Sequence, residues 1–185
     1  MNAQVQNLLL SLGAMQLARK IPFDDPEVLL YARIGYAASQ LLILGVYYYI
    51  SSVIKKKNDT TVLKYVEPSN PMSPKEGGTL TTTTNRDYDL AETTKLVRSV
   101  YLGIAMMTFL HLYMKYTQPL FIQALMGIKN LVDAKPVAIH LRGKAAEGEL
   151  KRPFKAGGMF GAASDPQTDK AAIDQAEKKA GKKEE

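Results

Sequence analysis

Cysteine is absent from the 185 residues, so disulfide staples and thiolate zinc sites are excluded. Histidine is scarce as well: His111 and His140 lie far apart, and neither has a ligand spacing around it. No Asp or Glu falls between Val28 and Ile54 or between Leu96 and Lys129, so proton or sodium coupling has no evident carrier there. Also missing are a Gly-Lys-Ser/Thr phosphate loop and any defensible Ser/His/Asp grouping. "GGTLTTTTN" lacks the lysine and reads as a linker. No repeat of solenoid length occurs. These gaps argue against an enzyme, against a bound cofactor or metal, and against a secondary transporter with repeated spans and a midplane site.

What is present is sharply divided. Residues 28 to 54 carry one formal charge, Arg33, whereas the fifty-three residues from Asp133 hold eleven Lys or Arg and nine Asp or Glu. A front embedded in a membrane and a solvated back explain this better than one globule. The net charge of +6 suits anionic lipid or nucleic acid. Position favours lipid, because Lys55, Lys56 and Lys57 directly follow an apolar run.

A crossing needs about 20 mainly apolar residues for a ~30 Å hydrocarbon layer. Residues 28–54 offer about 40 Å of helix, with Tyr31 and Tyr47 to Tyr49 placed as interfacial belts. A second span is expected over 96–118, interrupted near its ends by Arg98 and His111. Asp89 and Glu92 before it have capping-box spacing, and the turns through Lys95 are too polar for lipid. Residues 3–18 make a helix of roughly 24 Å, short for a crossing. They lack the basic flank and cleavage site of a signal peptide. Pro119 suits a helix first turn, and 119–132 is expected to lie at the interface or re-enter.

Between the spans, residues 55–95 read as a polar loop with little core of its own. In the tail, "KPVAIHLRGK" suits a short strand, "KRPFKAGGMFGAASDP" reads as extended, and "KAAIDQAEKKAGKKEE" as a solvated segment. Basic residues near span ends stay cytosolic. The loop 55–95 is therefore expected in the cytosol, with the acidic "PFDDPE" on the lumenal side. The tail is cytosolic as well if residues 120–132 return the chain, and lumenal by parity if they only lie on the surface; its basic character favours the cytosol. "NDT" at Asn58 is a glycosylation pattern, and this topology predicts that it stays unmodified.

Each apolar segment carries a weakly polar or small stripe at helical spacing. The sets are Gln4, Asn7, Ser11, Ala14 and Ala18; Arg33, Tyr36, Gln40, Tyr47 and Ser51; and Arg98, Tyr101, Ala105, Thr108, His111 and Lys115. Helix packing through small residues is one reading. The other is a polar groove, with Arg33, Gln40, Arg98, Thr108 and His111 facing a client polypeptide. A translocating segment costs several kcal/mol for each unsatisfied backbone group in hydrocarbon, and a half-buried polar face lowers that cost. Short helices also thin the bilayer. Lys55, Lys56, Lys57, Arg152 and Lys155 are candidate contacts for lipid head groups or ribosomal RNA.

"MNAQVQNLLLSLGAMQLARK", "KNDTTVLKYVEP", "TTTTNRDYDLAE", "MMTFLHLYMKYTQPLFIQ" and "IHLRGKAAEGELKRPFKA" together resemble the fungal SRP-independent targeting protein 3 family, earlier labelled an inorganic phosphate transport protein. The resemblance covers nearly the whole chain in order. It implies a multi-pass protein of the endoplasmic reticulum that helps deliver and insert client membrane proteins without the signal recognition particle. It further implies association with the Sec translocon, the pathway's other components and the ribosome. An adaptor that recruits ribosomes or targeting factors is the alternative, and a phosphate transport component is a weaker one. The expected fold is all-α and membrane-integral, with two full spans, two short membrane-embedded helices within residues 1–132, and a mostly irregular polar tail over 133–185.

Overall fold

The computed structural model describes residues 3–67, 79–155 and 166–181. Its elements are α1 (Ala3–Lys20), α2 (Pro26–Lys57), β1 (Val62–Glu67), β2 (Thr79–Thr84), α3 (Asn85–Thr108), a π-helical turn (Phe109–Tyr113), α4 (Gln118–Asp133), α5 (Lys135–His140), a 3-10 turn (Gly148–Leu150) and α6 (Lys170–Gly181).

Local signals account for the bounds of α2. Asp25 caps it by accepting the Glu27 N–H, and Pro26 occupies the first turn, where its missing N–H costs nothing. At the other end three lysines sit on the negative pole of the helix dipole. Asn58 then closes the helix in a left-handed conformation, φ 46°. Ile43, Tyr47, Ile50 and Ile54 recur at intervals of four, three and four, so they form one stripe. That stripe is buried against Leu131 of α4, Ala134 and Val137, with Leu96, Val97 and Val100 of α3 alongside. The opposite face leaves Leu30, Ile34, Leu41 and Leu42 exposed, Leu41 by 72%.

α2 and the continuous unit Asn85–Tyr113 are each long and apolar enough to cross a membrane. α1 packs on α4. Among its residues of described burial it buries only Ala14 and Ala18, and it leaves Leu8, Leu9, Leu12 and Leu17 exposed. Among soluble domains, apolar exposure on this scale marks a surface that something else covers.

A second, smaller core lies beyond the lysine end of α2. Tyr65 of β1, Tyr88 of α3, Ile139 of α5 and Phe154 pack together. Tyr88 meets both Tyr65 and Phe154 edge-on, at centroid distances of 5.7 and 5.3 Å. The Tyr88 hydroxyl accepts the Phe154 N–H at 2.7 Å.

Several expectations change at this end. Residues 55–95 are not a loop without a core: β1 and β2 pair antiparallel from Val62–Thr84 to Glu67–Thr79, and α3 already starts at Asn85. Five threonines in β2 fit a strand better than a linker, since β-branched side chains suit the pleated surface. Residues 68–78 lie outside the described residues, as do 156–165 of the segment read as extended. The capping box does not form at Asp89. Thr84 caps α3 by accepting the Asp87 N–H, and Asp89 lies inside the helix, 1% exposed. "KPVAIH" is helix, not strand, because Pro136 fits a first helical turn and cannot donate to a sheet ladder. The tail is less irregular than expected as well. α6 lies on the hairpin, and Gln167 makes an antiparallel bridge beside β1 through paired hydrogen bonds with Val66.

The second long helical unit also ends earlier than the 118 expected of the span. α3 gives way to the π turn at Phe109, and Lys115, with φ 61°, ends it before α4 begins at Gln118.

Candidate functional site

Three helices enclose a cavity of about 390 Å³, open on one side. α2 contributes Gln40, Ile43 and Tyr47; α3 contributes Leu96, Ser99, Val100 and Gly103; α4 contributes Gln123, Met126, Gly127 and Asn130. Gly127 permits the α2–α4 approach, because a Cβ there would meet Ile43 Cδ1 at 3.0 Å. Much of the wall is apolar, but five lining residues, Gln40, Tyr47, Ser99, Gln123 and Asn130, carry amide or hydroxyl groups. The Gln123 Oε1 is buried and has no hydrogen-bond partner among the described residues. A buried acceptor left open in this way is costly. It marks a place prepared for a donor.

A second cavity, about 170 Å³, lies toward the other end of α2 between Arg33, Tyr36, Met107, Thr108, His111, Leu112 and Leu120. The Arg33 Nε–H donates to His111 Nε2 at 3.0 Å. His111 Nδ1 lies 3.0 Å from the Tyr116 carbonyl. An acceptor at Nε2 puts the proton on Nδ1, which then donates to that carbonyl. The π turn carries His111, and such turns re-aim side chains by widening the helix locally.

At the lysine end, Arg152 points inward. It makes two contacts of 2.6 Å with Asp89, and His140 Nε2 meets the same carboxylate at 2.6 Å. Asp89 hydrogen bonding holds the Arg152 guanidinium proton more tightly than usual, against burial, which acts the other way. Nearby, Asp59 accepts from the Thr61 hydroxyl at 2.6 Å, the Thr61 N–H at 3.1 Å and the Asn85 amide at 3.1 Å. Hydrogen bonds from the Thr61 side chain, the Thr61 backbone and Asn85 lower its pKa to about 2. Together with Arg86, which donates to Asn58 Oδ1 at 2.8 Å, they stitch the end of α2 to the start of α3.

The residues expected to form one groove are therefore distributed. Gln40 lines the larger cavity, whereas Arg33, Thr108 and His111 line the smaller one. Arg98 lines neither and is exposed on α3. Lys55, Lys56 and Lys57 are exposed beyond the end of the α2 core. Arg152 is corrected: its guanidinium is committed to a buried carboxylate, so it is not a surface contact for head groups or RNA. Lys155 stays exposed, and its carbonyl accepts from Lys135 Nζ at 2.7 Å. Ser99, Gln123 and Asn130 were not foreseen. A signal existed for two of them, since Gln123 and Asn130 are seven apart and share one helical face. No group of three or more metal-ligating side chains is found among the described residues.

Comparison with known proteins covers almost the whole chain. The family model described as phosphate transport (Pho88) matches residues 1–184. SRP-independent targeting protein 3 of Saccharomyces cerevisiae is 47% identical over 180 residues, covering 96% of this chain and 95% of that protein. The SRP-independent targeting protein 3 homolog of Schizosaccharomyces pombe is 41% identical, over 95% of this chain and 91% of its own length. An uncharacterized protein of the same yeast is 45% identical, over 90% and 83%. No solved structure matches.

Proposed function

The chain belongs to the Pho88 family, and on that premise we propose that it works in the SRP-independent targeting for which its relatives are named. It acts there in the endoplasmic-reticulum membrane as a non-enzymatic insertion factor beside the Sec translocon. α2 and Leu96–Tyr113 cross the bilayer; α1 and α4, too short for comfort at roughly 27 and 24 Å, sit within it and thin it locally. Lys55 to Lys57 and Lys155 face the cytosol, available to lipid head groups or ribosomal RNA.

One observation carries the reading: the cavity lined by Gln40, Ser99, Gln123 and Asn130. It runs from the middle of α2 toward its lysine end, the half of the membrane that the proposed topology turns to the cytosol. A client segment entering from that side brings unpaired backbone groups, and amide side chains can pair with them where lipid cannot. The client's polar groups are the donors that Gln123 Oε1 lacks.

The test is insertion of a multi-pass client into microsomes whose native protein is replaced by Gln40→Leu/Gln123→Leu. Insertion is expected to fall several-fold at unchanged abundance of the protein. Unchanged insertion overturns the groove.

The adaptor reading has its own support in the folded unit of hairpin, α5 and Phe154 on the lysine side. Replacing the crossing helices by unrelated ones separates the two, since only an adaptor retains function. Purified protein in liposomes is expected to move no phosphate.

A further inference from the structure

Arg33 presents a problem that the client groove does not solve. A guanidinium stays charged at any physiological pH, yet Arg33 makes no ion pair among the described residues. Neither 28–54 nor 96–113 contains a carboxylate, and the nearest acidic residues before it in the chain, Asp24, Asp25 and Glu27, precede it by six residues or more. Its one polar contact among the described residues uses Nε on the acceptor nitrogen of His111. That contact fixes the plane of the fork and leaves both terminal NH2 groups open. The counter-charge must come from another molecule.

Position identifies it. On helical rise, Arg33 and Lys55 are about 33 Å apart along α2, close to the ~30 Å thickness of bilayer hydrocarbon. With the lysines in one head-group layer, Arg33 reaches the other. Tyr31, Tyr113 and Tyr116 surround this end and are 70%, 78% and 54% exposed, as an interfacial aromatic belt requires.

The cavity beside Arg33 has the matching chemistry. At about 170 Å³ it exceeds the roughly 30 Å³ share of a single water. Met107, Leu112 and Leu120 line it with apolar surface. The Tyr36 hydroxyl borders it too, buried and without a partner among the described residues. A planar fork with two free donors, a phenol nearby and apolar walls suit a tetrahedral anion attached to hydrocarbon. Two parallel N–H···O contacts to one phosphate are the usual use of such a fork.

We propose that Arg33, Tyr36, Thr108 and His111 frame a binding site for the phosphate group of a membrane phospholipid, in the leaflet opposite Lys55–Lys57. This removes Arg33 from the client path and makes it an anchor that holds one lipid between α2, the π turn and α4.

The experiment is native mass spectrometry of the full chain released from maltoside micelles. The probes are dioctanoyl phosphatidylglycerol, dioctanoylglycerol without a phosphate, and inorganic phosphate, all at equal concentration. The wild type is expected to keep one phosphatidylglycerol at collision energies that strip the rest. Arg33→Gln should lose that adduct roughly tenfold, as expected for the loss of a bidentate charged contact. Lys64→Gln, on the hairpin, should retain it. Thr108→Phe fills the cavity from an exposed position while keeping the arginine, so it should reproduce the loss without endangering the fold. Equal retention by wild type and both site variants overturns the site. Equal retention of dioctanoylglycerol overturns the phosphate chemistry, and an Arg33-dependent adduct with inorganic phosphate alone overturns the lipid as its source.

Discussion

Asp89 and Arg152 stand sixty-three residues apart in the chain, yet the guanidinium grips both carboxylate oxygens at 2.6 Å. Their side chains are 2% and 10% exposed. The contact fastens the segment after α5 to the first turns of α3, beside the Tyr65–Tyr88–Phe154 cluster. Removing one partner strands a buried charge, which costs about 3 kcal/mol. Asp89→Asn is therefore expected to lower thermal stability in detergent and to raise amide exchange over 146–154. Unchanged exchange there would mean that the aromatic cluster alone holds the segment.

The open acceptor on Gln123 predicts opposite effects on stability and activity. Gln123→Leu removes an unsatisfied buried oxygen and adds apolar contact with Met126 and Ile43 nearby. Stability should rise by about 1 kcal/mol while client insertion falls. A variant that gains stability and inserts normally would place client contact elsewhere.

Asp59 predicts an acid-side effect with a defined sign. Its folded pKa is about 2 against an ordinary 3.8, so the unfolded chain takes up the proton first as pH falls. Its stabilising contribution is complete above about 3.8 and is lost on descending to about 2. The effect is modest, because the carboxylate faces solvent. Exchange at Thr61 and Asn85, corrected for intrinsic rate, should rise across that window in the wild type and stay flat in Asp59→Asn.

Orientation follows from Lys55 to Lys57. On intact microsomes, added trypsin should reach Lys64, which is half exposed, and Asn58 should carry no glycan. Lys55→Glu/Lys56→Glu/Lys57→Glu weakens the retention of that end in the cytosol. A fraction of this variant should then invert and acquire a glycan at Asn58, read as an endoglycosidase-sensitive shift on gels. Glycan on the wild type reverses the topology.

The long helix was legible nearly to its ends, as 28–54 against Pro26–Lys57. Its determinants are local: a capping Asp, a first-turn proline, an uninterrupted apolar run and a basic stop. The short helices α1 and α4 and the second long helical unit were legible for the same reason, with errors at its start, Asn85, and at the π turn. In that turn His111 meets Arg33 across seventy-eight residues of chain. No local window contains it.

Sequence alone determined which segments prefer hydrocarbon and which end faces the cytosol in the proposed topology, because transfer free energy and charge placement are read residue by residue. Only the tertiary structure decided what the polar residues do. Arg152 looked like a surface cation until Asp89 was found opposite it. Gln40 and Arg33 looked like one stripe until α3 and α4 divided them between two cavities. A polar side chain's role is set by its partner, and for Arg33 and Arg152 that partner lies more than sixty residues away in the chain.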